Sequence, residues 1–99
     1  MNFSEKCYEL LKQIPKGKVT TYKEIAKALN TKAYRAVGSA MKNNPNPVKV
    51  PCHRVVKTDG SLGGYAYGES KKIALLTEEG VEVQDGKIVD FKDLMYAFS

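Results

Sequence analysis

Residues that interrupt regular structure cut this chain into short pieces. Pro15-Lys16-Gly17-Lys18, Asn30-Thr31, Asn43-Asn44-Pro45-Asn46-Pro47, the four glycines from Gly60 to Gly68, Gly80 and Gly86 recur along its 99 residues. Proline and positive-φ glycine end helices, so no stretch between these breakers exceeds about four helical turns. A chain of this length is expected to form one domain, over residues 1–99. Its 42% of hydrophobic residues must then meet in a modest core built from short elements.

Between the breakers, apolar spacing assigns the elements. Phe3, Cys7, Leu10, Leu11 and Ile14 repeat at helical spacing, with Ser4 as the expected N-cap. Thr21-Tyr22-Lys23-Glu24 reads as a capping box opening a helix to about Leu29. Asn30-Thr31 breaks it and caps a third helix with Ala33, Ala36, Val37, Ala40 and Met41 on its apolar face. Two short helices joined by a tight turn suggest a helix-turn-helix. Val48-Lys49-Val50 is expected to be extended, and Gly60 to Gly68 to form a wing or a loop over a ligand. Ser70 to Glu79 should be helical with Ile73, Leu75 and Leu76 inward, stopped by Gly80. Val81-Glu82-Val83, Asp85-Gly86 and Ile88-Val89 predict a hairpin, and Asp90 should cap a last turn bearing Phe91, Leu94, Met95 and Phe98. The expected fold class is mainly α with small β elements, of winged helix-turn-helix type.

Charge is segregated. Ile25 to Thr58 holds no Asp or Glu, yet contains Lys27, Lys32, Arg35, Lys42, Lys49, Arg54 and Lys57, whereas the acids collect from Glu69 to Asp93. Such a window suits a polyanion, or is a solvated face without a partner. No apolar run is long enough to span a bilayer and the N-terminus lacks a signal-peptide centre, so a cytoplasmic protein without membrane contact is expected. In that compartment Cys7 and Cys52 are expected to be free thiols.

Pro51-Cys52-His53-Arg54-Val55-Val56 places the only histidine beside a cysteine. A neighbouring imidazole and guanidinium favour the thiolate, the reactive form. In an extended segment adjacent side chains diverge, so water or a bend would have to connect Cys52 with His53. Two other readings stand at this point. Cys52 could be a small buried hydrophobe beside a surface histidine, or part of a zinc site, for which Cys7, Cys52 and His53 supply too few ligands at recognisable spacing.

The hexapeptide resembles the acceptor-site signature of the O6-alkylguanine-DNA alkyltransferases, and the resemblance runs from about Phe3 to Gly80. Gly17-Lys18-Val19-Thr20-Thr21-Tyr22, Arg35-Ala36-Val37-Gly38 and Asn43-Asn44-Pro45 match that family's C-terminal, DNA-binding domain. So do Gly60-Ser61-Leu62-Gly63-Gly64-Tyr65 and Leu75-Leu76-Thr77-Glu78-Glu79-Gly80. Ala66 stands where some relatives carry serine, and the segment from Tyr22 to Arg35 is one residue shorter than in longer relatives.

The resemblance implies a DNA-repair protein that irreversibly takes an alkyl group from O6 of guanine in double-stranded DNA onto Cys52. It further implies a monomer acting once, without cofactor or metal. Cys52 would be linked through water to His53 and on to Glu79, whose carboxylate fixes the imidazole tautomer. Tyr22 would protonate the departing guanine and rotate the 3′ phosphate, and Asn44 would tie the recognition helix to the acceptor loop. Arg35 would enter the duplex as a finger, with Tyr22, Lys23, Tyr34 and Lys42 also on DNA. Met41, Tyr65, Ala66 and the Val55 backbone would line the guanine pocket. O6 cannot reach a thiol from inside the base stack, so the base must flip. The alternative is a non-catalytic alkyltransferase-like lesion-binding protein, a class that usually replaces the acceptor cysteine by tryptophan. A helix-turn-helix regulator would not need Cys52, His53 and Glu79 together, and a cysteine hydrolase would ordinarily separate its Cys and His widely.

Overall fold

The helix ends follow local chemistry. In the computed structural model, which describes residues 1–98, α1 spans Phe3–Leu11 and is capped by Asn2, not Ser4. The Asn2 side chain accepts from the Glu5 amide at 2.8 Å, and Asn2 stands directly before Phe3, which packs on the core. After Leu11 the chain tightens, with the Ile14 amide bonding Leu11 O at 3.1 Å, so Ile14 stays buried outside the helix. The helix α2 (Tyr22–Ala28) starts as the capping box predicts: Thr21 Oγ1 accepts from the Glu24 amide at 3.0 Å.

Asn30, at φ 55°, turns the chain out of α2. Thr31 Oγ1 accepts from the Ala33 amide at 3.1 Å, so it closes the turn and does not cap the next helix. That helix, α3 (Tyr34–Lys42), begins later than its apolar spacing suggests. Val37, Ala40 and Met41 are buried, but Ala33 and Ala36 fall on the exposed side. Packed together, α2 and α3 form the helix-turn-helix, with α1 against α3.

The segment around Cys52 departs most from expectation. Val48-Lys49-Val50 is a turn, with Val48 at φ 81° and the Val50 amide on Asn46 O at 2.9 Å. Cys52–Arg54 is a single 3-10 turn, not an extended stretch. It leads into β2 (Val55–Val56), which pairs in parallel with β1 (Thr20–Thr21) through Thr20↔Val55 and Thr21↔Val56. Successive side chains on a strand face opposite ways. Val55 therefore joins a core cluster with Cys7, Leu11, Ile25, Val37 and Met41, and Val56 a second one with Val19, Leu62, Leu76 and Val81.

The helix α4 (Glu69–Glu78) presents Lys72 and Leu76 to the interior, one turn apart, whereas Ile73 and Leu75 are half-buried. Gly80, at φ 88°, ends it. The predicted hairpin is present as β3 (Val83–Gln84) and β4 (Lys87–Ile88), with Asp85 and Gly86 both at positive φ as a tight primed turn requires. It pairs with the turn at Ser61, forming the wing. Asp90 precedes α5 (Phe91–Leu94) but makes no side-chain cap bond. No described helix is long and apolar enough to cross a membrane. Removing the cap at the start of α2 by Thr21→Ala is expected to lower stability by about 1 kcal/mol. Urea denaturation of the purified variant checks this.

Candidate active site and basic face

Parallel pairing of β1 with β2 brings Tyr22, directly after β1, near Cys52, just before β2. Between them opens a cavity of about 340 Å³. Tyr22, Met41, Cys52, Tyr65 and Ala66 line it, joined by Gly38, Lys42 and Gly64. Val55 is not at its wall: its side chain is fully buried, and its carbonyl accepts from Lys72 Nζ at 2.7 Å.

Cys52 is only 3% exposed. Burial pushes its thiol pKa up, and the Asn44 side chain and the Lys72 ammonium pull it only partly back. The resting group is thus the thiol, contrary to the thiolate that its cationic neighbours suggest. Asn44 Nδ2 donates to Val50 O at 2.7 Å and its Oδ1 accepts from the Asn46 amide at 2.9 Å. Those bonds stitch the end of α3 to the loop before Cys52.

His53 turns away from solvent completely, with Nε2 2.9 Å from Glu79 Oε2. Nδ1 is buried and has no hydrogen-bond partner among the described residues. Burial lowers the imidazole pKa, offset in part by Glu79 and reinforced by Arg54 and Lys72, so the ring is held neutral. With Nε2–H donated to Glu79, Nδ1 is left as an acceptor for a proton.

Glu79 caps α4 and is shared. Arg54 Nε donates to Oε1 at 2.9 Å and Nη2 to Oε2 at 2.6 Å, while Nη1 bonds Ile14 O at 2.8 Å. Burial alone would raise the Glu79 pKa, but the Arg54 and His53 hydrogen bonds outweigh it and hold the carboxyl below its usual range. Arg54 is therefore an internal clamp and not part of the basic face.

Sequence patterning alone misses Lys72. Fully buried, it donates from Nζ to the carbonyls of Val55, Leu62 and Gly64 at 2.7, 2.5 and 3.1 Å, and burial lowers its pKa to about 8. Its position four residues before Leu76, on one helical stripe, is the available signal.

The other cations face outward. Lys27, Lys32, Arg35, Lys42, Lys49 and Lys57 are exposed. One groove runs between Tyr22, Lys23, Tyr34, Lys57 and Thr58, and a second along Lys23, Lys27, Lys32 and Tyr34. Tyr34 is 48% exposed beside Arg35. Cys7, in contrast, lies in the core with its thiol pushed up to about 11 by burial. No group of three or more His, Cys, Asp or Glu among the described residues could hold a metal ion.

A buried cysteine on this cavity thus lies beside a histidine–glutamate pair and a helix-turn-helix rich in exposed cations. A family model described as 6-O-methylguanine DNA methyltransferase, DNA binding domain, matches residues 2–81, and the chain belongs to that family. The chain is 54% identical over 81 residues to a methylated-DNA–protein-cysteine methyltransferase of Thermococcus kodakarensis, covering 81% of this chain and 45% of the relative. The structure of Mycobacterium tuberculosis OGT in complex with DNA superposes with a TM-score of 0.77 at 41% identity, over 81% of this chain and 49% of that one. S. pombe Atl1 in complex with DNA containing O6-carboxymethylguanine superposes with a TM-score of 0.83 at 34% identity, over 95% and 94%. The chain spans less than half the length of the first curated relatives it matches, from 28% to 45%.

Glu79→Ala strips the partner from both Arg54 and His53 and is expected to cost on the order of 3 kcal/mol. The depressed Glu79 pKa stabilises the fold above the unfolded carboxyl value near about 4.3, and that contribution is lost as pH falls through the lower folded value. The depressed His53 pKa acts the same way from about pH 6.5 downward, because the unfolded chain then binds the extra proton. Stability should thus decline on acidification below about pH 6.5, with the lower part of that decline absent in Glu79→Ala. Denaturant midpoints from neutral to acid pH test both statements.

Proposed function

We propose that this chain repairs alkylated double-stranded DNA by moving the alkyl group from O6 of guanine to Cys52, as a methylated-DNA–[protein]-cysteine S-methyltransferase that acts once. It corresponds to the C-terminal DNA-binding domain of its longer relatives and works as a cytoplasmic monomer. The observation that carries the reading is the placement of Cys52 at the wall of a cavity shared with Tyr22 and Tyr65, with neutral His53 anchored by Glu79 behind it.

The chemistry balances with these groups alone. A proton passes from Cys52 Sγ through a water to His53 Nδ1, the acceptor left free by the Nε2–Glu79 bond. Sγ attacks the alkyl carbon, a C–S bond forms, and the C–O6 bond breaks with its electron pair retained by guanine. The Tyr22 hydroxyl supplies a proton to the purine ring. No cofactor or metal is required. Asn44 positions the acceptor loop, and Met41, Tyr65 and Ala66 shape the base pocket. Lys23, Tyr34 and Lys42 contact the DNA, with Arg35 filling the gap left by the flipped base. A planar guanidinium can stack and hydrogen-bond there.

The near-complete overlap with Atl1 favours a second reading, lesion binding without transfer. Cys52 in its basic, histidine-backed setting supports transfer. Mass spectrometry after mixing with duplex DNA containing O6-methylguanine separates them: the peptide carrying Cys52 should gain the mass of one methyl group. Cys52→Ser should gain none while still binding DNA, and Cys7→Ala should transfer normally. Arg35→Ala should slow single-turnover transfer from duplex DNA at saturating protein by roughly tenfold or more, since opening the stack costs a few kcal/mol, yet spare transfer from free O6-benzylguanine. Recovery of the parent duplex rate at saturation would leave Arg35 as a phosphate contact only.

A further inference from the structure

The family match ends at residue 81, and residues 82–98 nonetheless pack against the segments that lead into the cavity lining. On one side the hairpin grips the wing turn. The Ile88 amide bonds Gly60 O at 2.9 Å, the Leu62 amide bonds Gly86 O at 3.1 Å, and Ser61 bridges Lys87. Phe91 lies so close to Gly60 that a Cβ there would stand 3.2 Å from its ring. Immediately after this turn come Gly64, Tyr65 and Ala66, one wall of the cavity. On the other side the segment after α5 grips β1. The Val19 amide bonds Leu94 O at 3.0 Å, the Tyr96 amide bonds Val19 O at 2.6 Å, and Thr20 Oγ1 donates to Tyr96 O at 2.9 Å. Two residues beyond Thr20 stands Tyr22, another residue of the cavity lining.

We infer that residues 82–98 form a brace that fixes the spacing of the Tyr22 and Tyr65 walls and so sets which alkyl groups the pocket accepts. This assignment rests on the alkyl-transfer reading for its consequence, but the brace itself is a property of the free protein. The residues leading into each wall are hydrogen-bonded to the same short segment, and α5 lies in the stretch from Ile88 to Tyr96 that carries both attachments. Phe91 and Leu94 seat that helix on the cluster of Val19, Val56 and Leu62, so the two grips share one packed support. The brace residues do not line the cavity. They act through the walls, as positioning residues.

Two readouts test it. In hydrogen exchange on the full chain, Phe91→Ala should speed exchange of the hydrogen-bonded amides of Gly60, Leu62 and Gly68 by roughly tenfold or more, while those of α1 to α3 stay within about threefold. This measurement needs no alkyl transfer, so it stands even if the parent protein transfers nothing. In single-turnover transfer from duplex DNA, Phe91→Ala should shift the ratio of benzyl to methyl rates toward benzyl by about fivefold or more, with Phe91→Leu returning it to within about twofold. Thr20→Val, nearly isosteric and lacking the hydroxyl bonded to Tyr96, should shift it the same way and serves if Phe91→Ala does not fold. Unchanged exchange at Gly60, Leu62 and Gly68, or equal loss of both rates with a constant ratio, would overturn the brace. A parent protein that takes up no alkyl group would instead overturn the acceptor reading.

Discussion

Two backbone pairings, Thr20 with Val55 and Thr21 with Val56, hold this domain's working parts together. A parallel ladder so short contributes little by itself, since each hydrogen bond nets only about 1 kcal/mol. Its effect is positional. A long stretch of mostly helical chain separates the two strands, and closing that loop places the capped start of α2 beside the acceptor turn. The two core clusters then form on opposite faces of the ladder, with Val55 in one and Val56 in the other. Core packing and site geometry are thus consequences of one register, and a slip by a single residue would exchange both faces.

Behind the acceptor turn, one carboxylate organises two basic side chains. Glu79 sits at the C-terminal end of α4, where the helix dipole disfavours it, yet Arg54 and His53 hold it ionised. Because Arg54 also bonds Ile14 O, the end of α1 and the end of α4 are tied to the acceptor turn through one guanidinium. Burial keeps Cys52 protonated and His53 neutral at rest. A buried thiol held protonated is a poor nucleophile, unlike a thiolate permanently exposed.

The parts legible in the sequence were those governed by local chemistry. Thr21 and Glu24 announced the start of α2, Gly80 the end of α4, and Asp85-Gly86 the hairpin turn, because caps and positive-φ turns are decided within a few residues. The turn at Val48 and the 3-10 turn at Cys52 were not legible. Each is held by a side chain outside the turn itself, Asn44 on the Val50 carbonyl and Lys72 on the Val55 carbonyl. The resemblance supplied Cys52, His53, Glu79, Tyr22 and the cavity residues Met41, Tyr65 and Ala66. Arg54 reads as a surface cation because charge patterning cannot tell which member of a basic window turns inward. Lys72 is hidden for the opposite reason. A lysine beside Lys71 on a helix reads as solvated, and only the three carbonyls that receive it explain why it can be buried.

The acid-free window from Ile25 to Thr58 also bears on time. With no carboxylate to repel phosphates or to occupy the lysines, exposed Lys27, Lys32, Lys42, Lys49 and Lys57 would grip any stretch of the proposed duplex partner alike. Attraction of that kind makes encounter fast and departure slow, and it allows sliding and hopping along the polymer. In the proposed repair role, on a genome nearly all of which is undamaged, the limiting quantity would be the dwell time at each unmodified site. A more basic face would lengthen every fruitless stop, and a less basic one would shorten the stretch scanned per encounter. The number of lysines on this face is thus a setting on the speed of a search.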